Sequence, residues 1–289
     1  MIKDFKMFEG GNGVSVITSY IVGLPSGEVI DVSTDDFIAL KKERVVRYDR
    51  DRHFFTFMDE NYKTIRKILG HMGANDAPKM DLIHDFMDSI YISRYKICED
   101  MSVDVDDDVH ISYKELTKIP VKFGKVSGDF DCSLNKLVNL VNSPIYVGGF
   151  FDCSINNIFT LISGPQFVKG GYYCSDNNLE NLHGFPDKCD VTFDCTRNKI
   201  ITLTGCPERI SARFFNCSYN KLKNLINGPK VTNNFDCSHN EISTLSNGVR
   251  EVRGNFDCTY NKLTDIMGMP SCSSIKFREG NKIEDIDYD

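Results

Sequence analysis

The stretch Phe130-Asp131-Cys132-Ser133-Leu134-Asn135-Lys136-Leu137 returns, with small changes, six more times in the second half of this 289-residue chain. Its asparagine recurs at Asn156, Asn177, Asn198, Asn220, Asn240 and Asn261, at spacings of 21, 21, 21, 22, 20 and 21, and a degenerate eighth copy centres on Asn281. A fixed period near twenty is the mark of a solenoid, in which each unit buries its apolar face only against its neighbours. The alternation Phe-Asp-Cys-Ser suits a short strand with Phe and Cys inward and Asp and Ser outward. The Asn should follow in a tight turn, where its amide can satisfy backbone groups of adjacent coils that burial would leave unpaired.

Two apolar positions complete each unit. Two residues after the Asn stand Leu137, Ile158, Leu179, Ile200, Leu222, Ile242, Leu263 and Ile283, and five after it stand Leu140, Leu161, Leu182, Leu203, Leu225, Leu245, Ile266 and Ile286. Nine after it, Pro144, Pro165, Pro186, Pro207, Pro229 and Pro270 recur, with Val249 once in that place. Proline there forbids a helix on the outer side of the coil. The whole pattern, aromatic-x-Cys-x-x-Asn-x-Leu-x-x-Leu, resembles the leucine-rich repeat, with Phe and Cys at two leucine positions. The expected fold is a leucine-rich-repeat β-solenoid: a parallel sheet, about eight coils, and a helix-poor convex side.

With a following Gly-Pro and valine, as in Gly228-Pro229-Lys230-Val231, the repeat looks like the leucine-rich-repeat proteins encoded by large tailed bacteriophages, over roughly residues 109–289. The opening Met1-Ile2-Lys3-Asp4-Phe5-Lys6-Met7-Phe8-Glu9 looks like the start of many proteins of such phages. The resemblance implies fold and source, and carries no shared activity. Repeats of similar length occur in some bacterial effector ubiquitin ligases, but those add a large domain with a nucleophilic Cys for which this chain has no room.

Residues 1–100 read as a small α+β domain and 101–289 as the solenoid. Residues 1–10 look like a loose start. A hairpin is expected at Ser15–Val22 and Glu28–Val32 around Leu24-Pro25-Ser26-Gly27, then a helix to about Lys42. One or two strands should lie within Arg44–Met58, and a helix should run from Asp59 to Gly70. From Asp81 to about Cys98, Leu82, Ile83, Phe86, Met87, Ile90 and Ile97 make an apolar stripe. A solenoid would expose core at its first coil, so this last helix is expected to cover it.

Net charge is −7 with no cluster of Lys and Arg in the repeats, which argues against a sequence-independent nucleic-acid surface. The basic run Lys41, Lys42, Arg44, Arg47, Arg50 and Arg52 is interrupted by Glu43, Asp49 and Asp51, as in an ordinary charged strand. No apolar run approaches a membrane span, and the N-terminus lacks the core of a signal peptide, so a cytoplasmic location is expected, or the virion for a phage product. Of 11 cysteines, seven hold one repeat position (Cys132, Cys153, Cys174, Cys195, Cys217, Cys237, Cys258), as buried free thiols would in a reducing compartment. Asp104, Asp106 and Asp108 fall at calcium-loop spacing, but Val109 stands where that loop needs glycine. They read instead as an acidic lead into a starting coil. No phosphate loop, catalytic triad motif or metal motif is present, so neither enzyme activity nor a cofactor is expected.

The candidate site is the strand face. Asp131, Asp152, Tyr173, Asp194, Asn216, Asp236 and Asp257 should form an outward, broken acidic ladder suited to a basic protein partner. Carboxylates about 4.8 Å apart repel by about 0.9 kcal/mol in water. Asp236 and Asp257 are expected to point to solvent and to tolerate charge reversal. Beside them, Tyr219, His239 and Tyr260 should stack on consecutive coils with Phe214 close by, as interface aromatics do. Ladders of Asp and Ser that merely keep an open sheet soluble are the competing explanation. The expected function is non-catalytic protein binding, by a phage product acting on a host or virion protein. The competing readings are a structural component of the virion, and an enzyme or nucleic-acid binder working through residues 1–100.

Overall fold

The computed structural model describes five N-terminal strands and then residues 77–283, with side chains from residue 80 onward. The chain divides into two compact units, Met1–Asp81 and Leu82–Asp289.

In the first unit, Ser15–Gly23 pairs antiparallel with Val29–Ser33, Val46–Asp49 pairs antiparallel with Phe54–Phe57, and Ser15–Gly23 also meets Phe54–Phe57 in parallel. The hairpin and the pair of strands read from the sequence are both present. The supposed loose start instead contains a strand, Phe5–Glu9, paired antiparallel with Ser15–Gly23. The helices expected at 33–42 and 59–70 lie outside the described residues.

The second unit is a parallel β-solenoid of leucine-rich-repeat type. Its front sheet steps through eight successive parallel pairings, which align Val109, Phe130, Phe151, Tyr172, Phe193, Phe215, Phe235, Phe256 and Ile275 in one row. All of these but Ile275 are buried, and neighbouring rings pack at centroid separations of 4.8–5.9 Å from Phe130 to Phe256. The seven ladder cysteines lie two residues on, all fully buried. Four of their thiols donate to a carbonyl of the next coil, as Cys174 does to Asp194 O at 3.2 Å. The leucine positions complete the core.

A second sheet, parallel except for its first strand, runs behind the first, unforeseen in the sequence. It joins Tyr95–Ile97, Val103–Val105, Phe123–Val126, Tyr146–Val147, Phe167–Val168 and Lys188–Cys189. Val126, Val147, Val168 and Cys189 point inward and are buried. A corner of about three residues separates the two strands of a coil, and it is tight: a Cβ on Gly149 would collide with the Asp129 carboxylate. Towards the C-terminus the corner opens, and the strand Glu251–Asp257 pairs with both Val231–Thr232 and Asn234–Asp236. Residues 90–283 contain no helix.

Each turn is closed by its asparagine. Asn156 Nδ2 donates to the carbonyls of Cys132, Cys153 and Ser154 at 3.1–3.2 Å, and its Oδ1 accepts from Leu137 N at 2.9 Å. Asn177, Asn198, Asn220, Asn240 and Asn261 repeat the donated set, each joining its own turn to the coil before. One amide side chain thus satisfies several buried backbone groups per coil.

The helix α1 (Ala77–Ser89) covers the first coil: Ile83 and Met87 are buried in the core and Phe86 meets Phe123 edge-on. It stops nine residues before Cys98. Tyr91 takes a left-handed φ of 58°, Ile92 N bonds to Met87 O, and Tyr95–Ile97 then pairs antiparallel with Val103–Val105. Leu82, assigned above to the apolar stripe, is 57% exposed. The acidic lead is the starting coil: Asp104 Oδ1 accepts from Lys125 N, Asp106 Oδ1 from Ser127 Oγ and Asp108 Oδ1 from Asp129 N, while Asp107 pairs with Arg94 at 2.9 Å.

Candidate functional site

The outward row of the front sheet is His110, Asp131, Asp152, Tyr173, Asp194, Asn216, Asp236, Asp257 and Lys276, aligned by the strand register. His110 and Lys276, which sequence reasoning left out, close the two ends, and Lys276 Nζ lies 3.7 Å from Asp257. The repeat spacing, extended one unit back from Asp131, could have found His110; it could not have found Lys276, because the last turn is one residue longer and the spacing from Asn281 points to Phe277.

These carboxylates are not free groups on a solvated face. In every acidic member one oxygen accepts from the backbone N–H two residues on: Ser133 to Asp131 at 2.9 Å, Ser154 to Asp152 at 2.8 Å, Thr196 to Asp194 at 2.9 Å, Ser238 to Asp236 at 2.9 Å and Thr259 to Asp257 at 3.1 Å. Asn216 does the same for Ser218 at 3.0 Å. The expectation that charge reversal at Asp236 and Asp257 spares the fold is therefore corrected: lysine would remove an acceptor from a turn N–H. Such a side-chain cap is worth about 0.5–2 kcal/mol by analogy with helix caps. Asn at this place is chemically equivalent for the turn, which explains why it can replace Asp once. Burial pushes the Asp152 carboxyl up from its ordinary range, and the neighbouring Asp131 and Asp194 charges add to the shift. Tyr173 leaves the row's polar pattern and leans edge-on against Phe150, ring centroids 6.3 Å apart.

Next to this row lies a second one, the residue just before each turn asparagine. Leu134, Ile155, Asp176, Arg197, Tyr219, His239 and Tyr260 all adopt left-handed φ values of 50–55°. Such a conformation costs a non-glycine residue on the order of 1 kcal/mol, more for β-branched Ile155. It is held because each N–H still bonds to the next coil, as Tyr219 N does to Ser238 O at 3.1 Å and His239 N to Thr259 O at 3.0 Å. The side chains are left in a column at the sheet margin.

Tyr219 and His239 stack at 4.1 Å and 17°, and His239 and Tyr260 at 4.3 Å and 24°. The column continues at both ends. Arg197 sits 5.5 Å over the Tyr219 ring and 3.8 Å from Asp176, and the Tyr260 hydroxyl donates to Glu279. That bond holds the Tyr260 phenol above its ordinary range. Ring faces are thus occupied within the column, while Tyr219 remains 48% and Tyr260 42% exposed through their edges. Phe214, 37% exposed, belongs to a different row with Thr192 and Asn234 and does not join the stack.

Among the described residues, no three or more His, Cys, Asp or Glu side chains converge on a point where a metal could bind. No helix among them is long and apolar enough to cross a membrane. Burial drives the ladder thiols well above their usual range, Cys258 to about 12. No protein-family model matches the chain, and no curated protein matches it.

Proposed function

We propose that this chain is a non-catalytic binding protein that holds a basic protein segment against the front sheet of its C-terminal coils. The supporting observation is the meeting there of two features. Asp236 uses one oxygen locally and keeps the other for a partner, Asp257 uses one locally and holds the other in an exchangeable 3.7 Å pair with the exposed Lys276, and the Tyr219–His239–Tyr260 column stands beside them as a rigid aromatic edge. Preordered aromatic side chains cost little entropy on binding and commonly anchor interfaces, whereas rim carboxylates chiefly tune association rate and salt dependence. Asp131, Asp152 and Asp194 extend the acidic row to the earlier coils, with Tyr173 and Phe214 beside it.

The resemblance of the repeat to proteins of large tailed phages supports a phage product directed at a host or virion protein, working in the host cytoplasm. Residues 1–100 would serve to cover the first coil; the burial of Ile83 and Met87, which belong to the second unit, supports that role for the helix α1 alone. A fragment 101–289 that stays soluble, monomeric and cooperatively folded would contradict that role.

The binding test is a titration with a protein recovered from host or infected cells. Asp236→Asn with Asp257→Asn retains the turn acceptors and removes the charge, so it should weaken binding and flatten its salt dependence. Tyr219→Ala with Tyr260→Ala should weaken it further. Unchanged affinity in both folded double variants would place the partner elsewhere.

A further inference from the structure

The outer face of the second sheet carries its own pattern. Lys125, Tyr146, Phe167 and Lys188 are aligned on four consecutive parallel strands. Both lysines are exposed, Phe167 is 43% exposed and Tyr146 is half-buried. Lys169 Nζ lies 5.9 Å over the Tyr146 ring and adds a third cation. At the N-terminal end the strip runs into a cleft of about 420 Å³ lined by Lys96, Lys125, Tyr95 and Tyr146. Carboxylates share this face, each with one oxygen used locally: Asp104 Oδ1 accepts from Lys125 N, Asp106 Oδ1 from Ser127 Oγ, and Asp190 makes an exposed pair with Lys188 at 3.4 Å; Lys96, Lys125, Lys169 and Lys188 outnumber these three. That last pair is of a kind worth little and easily exchanged.

The order cation, aromatic, aromatic, cation has a defined length. Three inter-strand steps of about 4.8 Å put the Lys125 and Lys188 positions roughly 14 Å apart. An extended peptide rises about 3.4 Å per residue and shows alternate side chains on one face, so residues i, i+2 and i+4 span nearly the same distance. We propose that this face is a docking strip for an extended acidic peptide of pattern acid-x-apolar-x-acid. Its two carboxylates would meet Lys125 and Lys188, and its central apolar or aromatic side chain would rest between Tyr146 and Phe167. This strip and the front sheet are separate surfaces of one solenoid, one cationic and one acidic.

The test is fluorescence anisotropy on the full chain with three labelled peptides: Gly-Glu-Ser-Phe-Ser-Glu-Gly, the isomer Gly-Glu-Glu-Phe-Ser-Ser-Gly, and Gly-Lys-Ser-Phe-Ser-Lys-Gly. The first should saturate, with an affinity about tenfold tighter than its isomer and a loss on raising salt, as expected of spaced charge pairs. The lysine peptide should not bind. Lys125→Glu with Lys188→Glu should weaken the first peptide by more than about tenfold, and Phe167→Ser by roughly fivefold. If the glutamate variant loses its circular dichroism spectrum, Lys125→Gln with Lys188→Gln takes its place. The proposal is overturned by no saturation with the first peptide at millimolar concentration, by equal binding of the two acidic isomers, or by unchanged affinity in the folded double variant. Tighter binding of a single-stranded oligonucleotide, lost in the same variant, would also overturn it.

Discussion

The asparagine ladder makes the most quantitative prediction. Asn177 is buried, donates to Cys153 O at 2.9 Å, Cys174 O at 3.3 Å and Ser175 O at 3.1 Å, and accepts from Ile158 N at 2.9 Å. Replacing it with alanine does not orphan all four partners. The Cys153 carbonyl keeps a bond from Asn156, the Cys174 carbonyl one from Asn198, and the Ser175 carbonyl one from Ile155 N. The Ile158 N–H, at a fully buried residue, loses the acceptor it has. One unsatisfied buried donor costs about 1–3 kcal/mol, and three lost bonds to carbonyls that remain partnered add roughly 0.5 kcal/mol each. Asn177→Ala should therefore cost about 2.5–4.5 kcal/mol in urea unfolding followed by far-UV circular dichroism. Asn177→Asp should cost at least as much at neutral pH, because it keeps the acceptor but turns a second oxygen toward three carbonyls. Asn157→Ala, at the exposed position just after Asn156 in the turn of the preceding coil, should stay within about 0.5 kcal/mol. A stability of Asn177→Ala within 0.5 kcal/mol of wild type would refute the argument that side-chain amides hold the coils together.

Three further outcomes follow from the core and the acidic row. Tyr172 stands where most of the inward row has Phe, fully buried with no hydrogen-bond partner for its hydroxyl. Tyr172→Phe should thus stabilise the fold by about 1–2 kcal/mol, read as a higher urea midpoint. The seven ladder thiols, buried and pushed up in pKa, should resist a thiol reagent in the native state and react together on unfolding. Rapid native labelling of most of them would contradict their placement. Asp152 has a raised folded-state pKa, so its contribution is favourable below the unfolded value near 4 and is lost as pH rises through the folded one. Asp152→Asn, which retains the acceptor for Ser154 N, should raise stability at pH 7 and make no difference at pH 3. Equal unfolding curves at both pH values would refute this.

How much of this was legible depended on repetition. The aromatic, Cys, Asn and two leucine positions each recur at least seven times, and the same local chemistry applies at every copy, so their inward placement and the Asn turn followed from residue type and period. The second sheet did not announce itself, because its strands are two to four residues long and exist only through pairing between coils twenty residues apart. The left-handed row was hidden for a related reason: Leu134, Ile155 and Arg197 are poor residues for positive φ, and tertiary bonding overrides their preference. The strand Tyr95–Ile97 was mistaken for helix because Ile97 continues the apolar spacing of α1 past its real stop. At the candidate site, the stacking of Tyr219, His239 and Tyr260 could be read from spacing. The use of Asp131 to Asp257 as turn acceptors, the Arg197 and Glu279 ends of the column, and the separation of Phe214 from it required the backbone.

The central functional claim is that a partner lies on the front sheet of the C-terminal coils, and site-specific photo-cross-linking tests it most directly. Benzoylphenylalanine would be placed at Tyr219 or Tyr260, and as references at Phe159 or Ile226, which are exposed at positions three and six residues past the turn asparagine. Each full-length variant would be irradiated in host or infected-cell lysate and its adducts identified by mass spectrometry. The account predicts one dominant adduct from positions 219 and 260, with a protein presenting a basic segment, weakened when Asp236→Asn and Asp257→Asn are added. Adducts forming only from positions 159 and 226, with none at 219 or 260, would contradict it.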